Sequence, residues 1–474
     1  MSKIVFLQKN SFDLHGLMYI SGLLKKHGHD VRLFIVPEEK DLWSTLQERS
    51  PDFVGFSITS AERLWALDLA AQVKEKLNAI TVFGGIDPTI CPELIENDQV
   101  DIICRGEGEF AILEMLDSFD KFGAVSESIE NLSLKSDGRI IENPIRPLIQ
   151  DLDQLPLVDR GLYYDRYKFL SSYPIKRFMI GRGCPFNCSY CCNNALRKLY
   201  KGKGKYVRRH GVERVIQEID LARKKYALRM IDFIDDDFIS DKPWLLSFLK
   251  EYSKTIHLPY SCLVRIDLID EEIVSMLKDS GCVTVSFGVE SGDEEVRNGT
   301  LNKRLRNEEI VTGAALLKKY GLKFNSYNIL NIPGESIESG FKTVNLNVKI
   351  KTDYPWCSIF QPFPGTEFWD KLNNNKGPEA KNDLRSLNFY SSSLICQKDS
   401  QQLMNLEKFF YYAVKFPFLQ PLIKKIIKLP ANRIFQYFFL LSFAYRHSRA
   451  NRLSIWEEFL YNARHISTYF RKPK

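Results

Sequence analysis

The chain has 474 residues and a mass of 55.0 kDa, a length that suits two or three domains rather than one. With 44% hydrophobic and 26% charged residues, 26 Gly and 20 Pro, it is neither disordered, collagen-like nor a disulfide-stapled miniature. The formal charge is +7, but residues 401–474 hold 13 Lys/Arg against 3 Asp/Glu, or +10, which leaves −3 on the first 400. The basic excess belongs to the tail, so a chain-wide nucleic-acid surface is not supported.

The opening MSKIVFLQKNSF carries one short apolar run and no cleavage site, so no signal peptide is expected. KIVFLQ predicts a strand and Leu17–His27 a helix with Gly28 as its stop. VRLFIV, DFVGFSI, AITVFGG and DIICRGEGE predict four further strands with helices between. Apolar strands alternating with helices imply right-handed crossovers and a parallel, doubly wound, Rossmann-like sheet over 1–125. Ligands of such sheets bind beyond the strand C-termini, where Gln8–Asn10, Ser57–Ser60, Gly84–Gly85 and Arg105–Glu109 are polar or Gly-rich. Each alone reads as a turn; four in series predict a crevice for a nucleotide-like cofactor. Residues 126–175 lose the alternation and read as a packed linker that includes a polar hairpin, NLSLKSDGRIIEN.

From Lys176 the alternation resumes with RFMIGRG, RMIDFIDD, SCLVRI, CVTVSFGVE, KFNSYNILNIP and WCSIFQPF, each but the last followed by a helix. Six such units predict a partial (β/α)6 TIM-type barrel over 176–385, with its working face at the strand C-termini. Residues 386–474 read as a basic helical segment, with 17 aromatics between 401 and 474.

The sharpest chemical signal is GRGCPFNCSYCC. Cys184, Cys188 and Cys191 follow a strand at C-x3-C-x2-C spacing, which lets three thiolates from one loop converge on one centre. Three ligands suit a [4Fe–4S] cube with an open iron. Structural zinc wants a fourth ligand, and Cys192 is the candidate, although adjacent residues seldom reach one metal together.

This loop resembles that of the radical S-adenosylmethionine (SAM) enzymes, with Tyr190 at their aromatic position. IDFIDDDF, LVRIDLIDEE, SFGVESG, NIPGES and PFPGTEF follow in the order seen in the subgroup that carries an N-terminal cobalamin (B12) domain, so the resemblance covers about residues 1–380. It implies a [4Fe–4S] cluster on the three cysteines and SAM chelated to the open iron. Asp235, Asp236 and Asp237 are then candidates for the SAM ammonium, Arg265 for its carboxylate and Glu290 for its ribose. The alternatives are a solvated or divalent-metal acidic run, a rim ion pair, and an ordinary strand-end carboxylate. For cobalamin, the resemblance points to Asn10, His15, Ser57, Thr59, Gly84, Gly85, Arg105, Gly106 and Glu107. Asp13-Leu14-His15 stands where related domains place a cobalt-ligating histidine, but Met18 replaces the expected Gly. His15 therefore reads either as a cobalt ligand or as an ordinary helix-start residue. Asp87 occupies a position that is often His in the subgroup.

The implied activity is reductive SAM cleavage to a 5′-deoxyadenosyl radical, followed by methylation of an unactivated carbon from methylcobalamin. A second outcome keeps cobalamin but performs cyclisation, rearrangement or oxidation; a third, of another class, is a non-catalytic cobalamin- or SAM-binding protein. The acceptor is a small molecule or a lipid, with a flavodoxin or ferredoxin as electron donor and no nucleic acid. In the tail the longest uncharged apolar stretch, between Arg433 and Arg446, is twelve residues, against about 20 for a spanning helix. The tail reads as a helical cap on the barrel or as an interfacial segment. A cytoplasmic protein, peripheral at the inner membrane face, is expected.

Overall fold

The computed structural model describes residues 1–375, 393–454 and 456–459. The 385/386 boundary expected from sequence and tail residues 460–474 lie outside them. The chain divides into two compact units. The first is Met1–Tyr173, Cys191–Gly211 and the described part of Phe363–Arg385; the second is Pro174–Tyr190, Val212–Pro362 and the described part of Ser386–Lys474.

The first unit is a seven-stranded sheet. Its strands are β1 (Lys3–Gln8), β2 (Asp30–Ile35), β3 (Phe53–Ser57), β4 (Ile80–Gly84), β5 (Ile102–Cys104), β6 (Leu132–Ser136) and β7 (Arg139–Glu142), in the order β2-β1-β3-β4-β5-β6-β7. The first five are parallel. Five of the six residues of β1 are buried, as expected of a strand covered on both faces by helices. Those helices are α1 (His15–Lys26), α2 (Leu42–Arg49), α3 (Arg63–Lys76), the short α4 (Ile86–Ile90) and α5 (Glu109–Phe122). α5 stops at Gly123, whose φ of +71° makes the left-handed cap.

The hairpin expected within a linker is part of this sheet: β6 pairs antiparallel with β5, and β7 with β6. Its alternating pattern marked a hairpin, but only β5's open edge gave it a partner.

The second unit is a six-stranded, all-parallel sheet whose order follows the chain. It runs β8 (Ile175–Phe178), β9 (Met230–Phe233), β10 (Tyr260–Leu263), β11 (Cys282–Glu290), β12 (Lys323–Leu330) and β13 (Tyr354–Ile359). This is the partial barrel expected from six strand–helix repeats. The Cys-loop strand ends at Phe178, earlier than RFMIGRG suggested. Helix α6 (Cys192–Leu199), directly after the third cysteine, belongs to the first unit. The second unit contains α7 (Val212–Lys225), α8 (Lys242–Thr255), α9 (Glu271–Asp279), α10 (Asn307–Lys319) and α11 (Ile337–Lys349). Caps set the helix starts: Asp241 accepts from Trp244 N ahead of α8, and Asp270 from Ile273 N ahead of α9. The core between sheet and helices is aromatic, with Phe233 touching Phe238, Phe248, Tyr252 and Tyr260.

α12 (Glu367–Asn375) belongs to the first unit; the second continues with α13 (Ser400–Lys415), α14 (Gln420–Ile426) and α15 (Arg433–Ala450). Helix α13 buries Leu403, Leu406, Phe409 and Phe410 against Leu330, Phe341, Val344, Cys357 and Ile359. The tail is therefore a helical cap on the barrel at this helix. Burying each such side chain is worth about 2 kcal/mol.

Candidate functional site

In the first unit, the strand order 2-1-3 puts a topological switch point between β1 and β3, where doubly wound sheets bind ligands. Asn10, after β1, donates to Glu62 Oε1 at 2.5 Å, and Glu62 Oε2 accepts from Thr59 N and Oγ1, each at 3.0 Å. Asn10 and Thr59 are thus joined across the switch point, and Glu62, which the sequence did not single out, is their common acceptor. Ser57 and Gly84 end paired strands. Gly85 has φ +95°, and a Cβ there would stand 2.7 Å from Ile58 O and 2.8 Å from Ile58 N. Only glycine fits.

Arg105 N and Gly106 N are used inside the unit, donating to Asn131 O (2.8 Å) and Thr89 Oγ1 (2.9 Å). Glu107 also bonds within the unit. Its carboxylate pairs with Arg208 at 2.9 Å and accepts from Ile149 N at 2.8 Å, while its N–H donates to Tyr200 Oη. That side chain ties the strand-end loop to the Cys191–Gly211 segment. Tyr200 and Arg208 lie about 100 residues further along the chain, which is why the sequence did not reveal the tie. Asp87 is buried and receives a bidentate grip from Arg63 at 2.7 and 2.8 Å, so it is an ion-pair partner on α4. Asp13 accepts from Tyr164 Oη at 2.6 Å. His15 is 5% exposed and is the first residue of α1.

In the second unit the predicted residues lie at the C-terminal ends of successive strands. Asp235 and Asp237 are each 2% exposed. Asp235 accepts from Ile180 N at 3.0 Å, and Asp237 from Arg265 N at 3.1 Å. These two carboxylates hold neighbouring strand ends through backbone amides. Asp236 between them is exposed. Arg265 bonds within its own unit. Its Nε donates to Asp267 at 2.7 Å, its Nη2 to the carbonyls of Lys303 (2.6 Å) and Arg304 (2.8 Å), and its plane lies 4.1 Å from the Phe186 ring. Two of the fork's three nitrogens, Nε and Nη2, are thus engaged by the protein.

Glu290 ends β11 at φ +61°, a left-handed conformation uncommon for non-glycine residues. Its Oε1 accepts from Tyr190 Oη at 2.9 Å and from Lys303 Nζ at 2.7 Å. Lys303, missed in the sequence, is the buried cation of this group. A Cβ on Gly288 would fall 2.0 Å from Glu290 Oε1, so the glycine leaves room for the pair.

These contacts form a clamp. Asn302 Nδ2 donates to Asn187 O (2.9 Å), Ser189 N to Leu301 O (3.0 Å) and Ser189 Oγ to Thr300 O (2.8 Å). Every residue from Phe186 to Tyr190 except Cys188 is thus bonded or stacked to Arg265, Glu290 or the 300–304 loop. That loop is anchored in turn by the fully buried Arg297, which donates to Leu305 O at 2.8 and 2.6 Å and to Ser291 O at 2.6 Å. No periodicity marks such a loop in a sequence.

None of the ten cysteines is in a disulfide, and Cys184, Cys188, Cys191 and Cys192 are partly exposed. Among the described residues, no three His, Cys, Asp or Glu side chains gather as a metal-holding group. The donor set nevertheless fits a cluster: three soft thiols on one loop, outside any disulfide, with the loop backbone held by the 300–304 loop and its Phe186 and Tyr190 side chains by Arg265 and Glu290.

At the end of β12, Glu335 is buried and pushed up to about 8 by desolvation, with Ile332 N donating to its Oε2. A folded-state value above the ordinary 4.5 means the native state binds the extra proton. Stability should therefore fall as pH rises from about 4.5 to about 8. Glu335→Gln is expected to flatten that decline in thermal melts taken across the window; an unchanged slope would refute the assignment.

A Radical SAM superfamily model matches residues 178–346, and a B12 binding domain model residues 9–116. An uncharacterized methyltransferase of Pyrococcus horikoshii is 30% identical over 364 residues, 75% of this chain and 77% of that protein. The anaerobic magnesium-protoporphyrin IX monomethyl ester cyclase of Rubrivivax gelatinosus is 25% identical over 75% of this chain and 65% of its own length. Among solved structures, the radical SAM methyltransferase TsrM of Kitasatospora setae superposes with a TM-score of 0.65 at 17% identity, covering 79% of this chain and 76% of that one. The chain belongs to the cobalamin-dependent radical SAM methyltransferase family, enzymes whose cofactors are a [4Fe–4S] cluster, SAM and cobalamin.

Proposed function

We propose that this enzyme transfers a methyl group to an unactivated carbon of a small-molecule or lipid acceptor. The observation that carries the reading is the pairing, in one chain, of a clamped three-thiol loop at the barrel's strand ends with a B12-type crevice at a 2-1-3 switch point. The bound cofactors supply the hydrogen-abstracting radical and the methyl carrier; the protein binds, orients and shields. Cys184, Cys188 and Cys191 hold the cluster. Tyr190, steadied by Glu290, stands beside it, and Asp236 is the carboxylate of its run that meets the SAM ammonium. Asn10, Ser57, Thr59, Gly84 and Gly85 line the corrin side, with Arg105 and Gly106 contributing through their loop. A flavodoxin or ferredoxin delivers the electron. Peripheral contact of the tail with the inner membrane face belongs to the same reading and suits a lipid-soluble acceptor.

Gly85→Ala is expected to abolish corrin retention while the barrel still takes up iron, because the clash at Ile58 is confined to the first unit. Visible spectra and iron assays on the same sample decide it, and retained corrin at full occupancy would overturn the placement.

The reading is tested by anaerobic reconstitution with iron, sulfide and cobalamin, followed by SAM labelled in its methyl group. Labelled product alongside 5′-deoxyadenosine is expected. The similarity to a ring-forming cyclase favours a second reading, in which cyclisation, rearrangement or oxidation replaces methylation. 5′-Deoxyadenosine with no labelled product would establish it. Neither product nor 5′-deoxyadenosine would favour a non-catalytic cofactor-binding protein.

A further inference from the structure

Helix α15 is apolar on two faces. Phe435, Phe439 and Phe443 point inward, with Phe435 4.9 Å from Phe409 and Phe439 5.9 Å from Trp356 between ring centroids. Those contacts are what folding uses. On the outside, Ile434, Tyr437, Leu441 and Tyr445 are 64, 63, 65 and 52% exposed. Their spacing of three, four and four residues places them in one stripe along the helix, roughly 17 Å long at 1.5 Å per residue. Exposed Arg449 continues the stripe, its guanidinium 5.8 Å from the Tyr445 ring, and exposed Arg433 begins it. An apolar stripe of this size on a folded surface marks an interaction site.

Charge selects the occupant. Residues 408–456 contain nine Lys/Arg and no Asp or Glu. The same segment of a second copy would bring the same sign against it. The chain's own residues 460–474 would do likewise, since they carry four basic residues and no acidic one. A lipid surface with anionic headgroups matches both the apolar stripe and its basic flanks. No described helix is long and apolar enough to cross a membrane, which leaves lying in the interface.

We propose that α15 docks the enzyme on an anionic bilayer surface, with the Ile434–Tyr445 stripe entering the headgroup–acyl boundary. This deepens the peripheral-contact part of the proposed function and stands or falls separately from methyl transfer.

The test uses the full chain and extruded vesicles of phosphatidylcholine alone or with about 30% phosphatidylglycerol, read by co-sedimentation. Retention on the anionic vesicles only, weakening as salt rises, is expected. Leu441→Ser together with Ile434→Ser should lower partitioning at least about tenfold, as two buried aliphatic side chains are lost. Melting temperature and iron uptake should stay at wild-type values. Hydrogen exchange of 434–445 in the wild-type chain, slowed by anionic vesicles, gives a readout independent of the variants. Absence of retention at low salt, retention untouched in the double variant, or a wild-type dimer that the variant converts to monomer would each overturn the proposal.

Discussion

Alanine at any one of Cys184, Cys188 or Cys191 will reduce iron uptake from about four per chain to a small fraction and abolish 5′-deoxyadenosine formation. Cys192→Ala will leave both near wild type. Cys192 is the first residue of α6 and so begins a helix immediately after the third ligand position. All four thiols are partly exposed, so accessibility does not separate them; spacing does. Iron and sulfide assays with electron paramagnetic resonance of the reduced protein measure the effect. Equal losses in all four variants would put Cys192 among the ligands and return the site to a four-thiolate centre such as zinc.

The second large effect is expected at Lys303. Replacement by methionine removes the cation that shares Glu290 with Tyr190 and leaves a buried carboxylate without its ion-pair partner. The cost should be about 3 kcal/mol. Because the 300–304 loop also holds Asn187 and Ser189, the loss should reach the cysteine loop as slower iron uptake and an altered resonance signal. The double variant Lys303→Met/Glu290→Gln should recover part of the stability, since the amide needs no counter-charge and can still accept from Tyr190. Thermal melts of the singles and the double form a cycle. Strict additivity would refute the coupling.

Arg265 illustrates how a strand-end position can be legible in the sequence while its partners are not. Its place after the third barrel strand was legible, but its donors turn to Asp267 and two loop carbonyls. Glu107 repeats the lesson in the first unit, where Arg208 takes its carboxylate. Arg208 lies 101 residues from Glu107 and the two loop carbonyls 38 and 39 residues from Arg265, beyond the reach of any motif; only Asp267 is a near neighbour.

Both sheets could be read from sequence because strand and helix periods are local, and the three-thiol loop because its spacing is local too. The two units interleave along the chain, with Cys191–Gly211 belonging to the N-terminal unit, and this only tertiary packing decided. The edge of β5 that recruited the β6–β7 hairpin and the Lys303–Glu290–Tyr190 group were likewise settled in three dimensions. The tail's two readings were separated the same way: α13 became a cap because it met an apolar barrel face, while α15 kept an outward stripe that no described residue covers. Local periodicity determines which residues can face a core; which faces meet depends on contacts between residues far apart in sequence, and no local pattern encodes those.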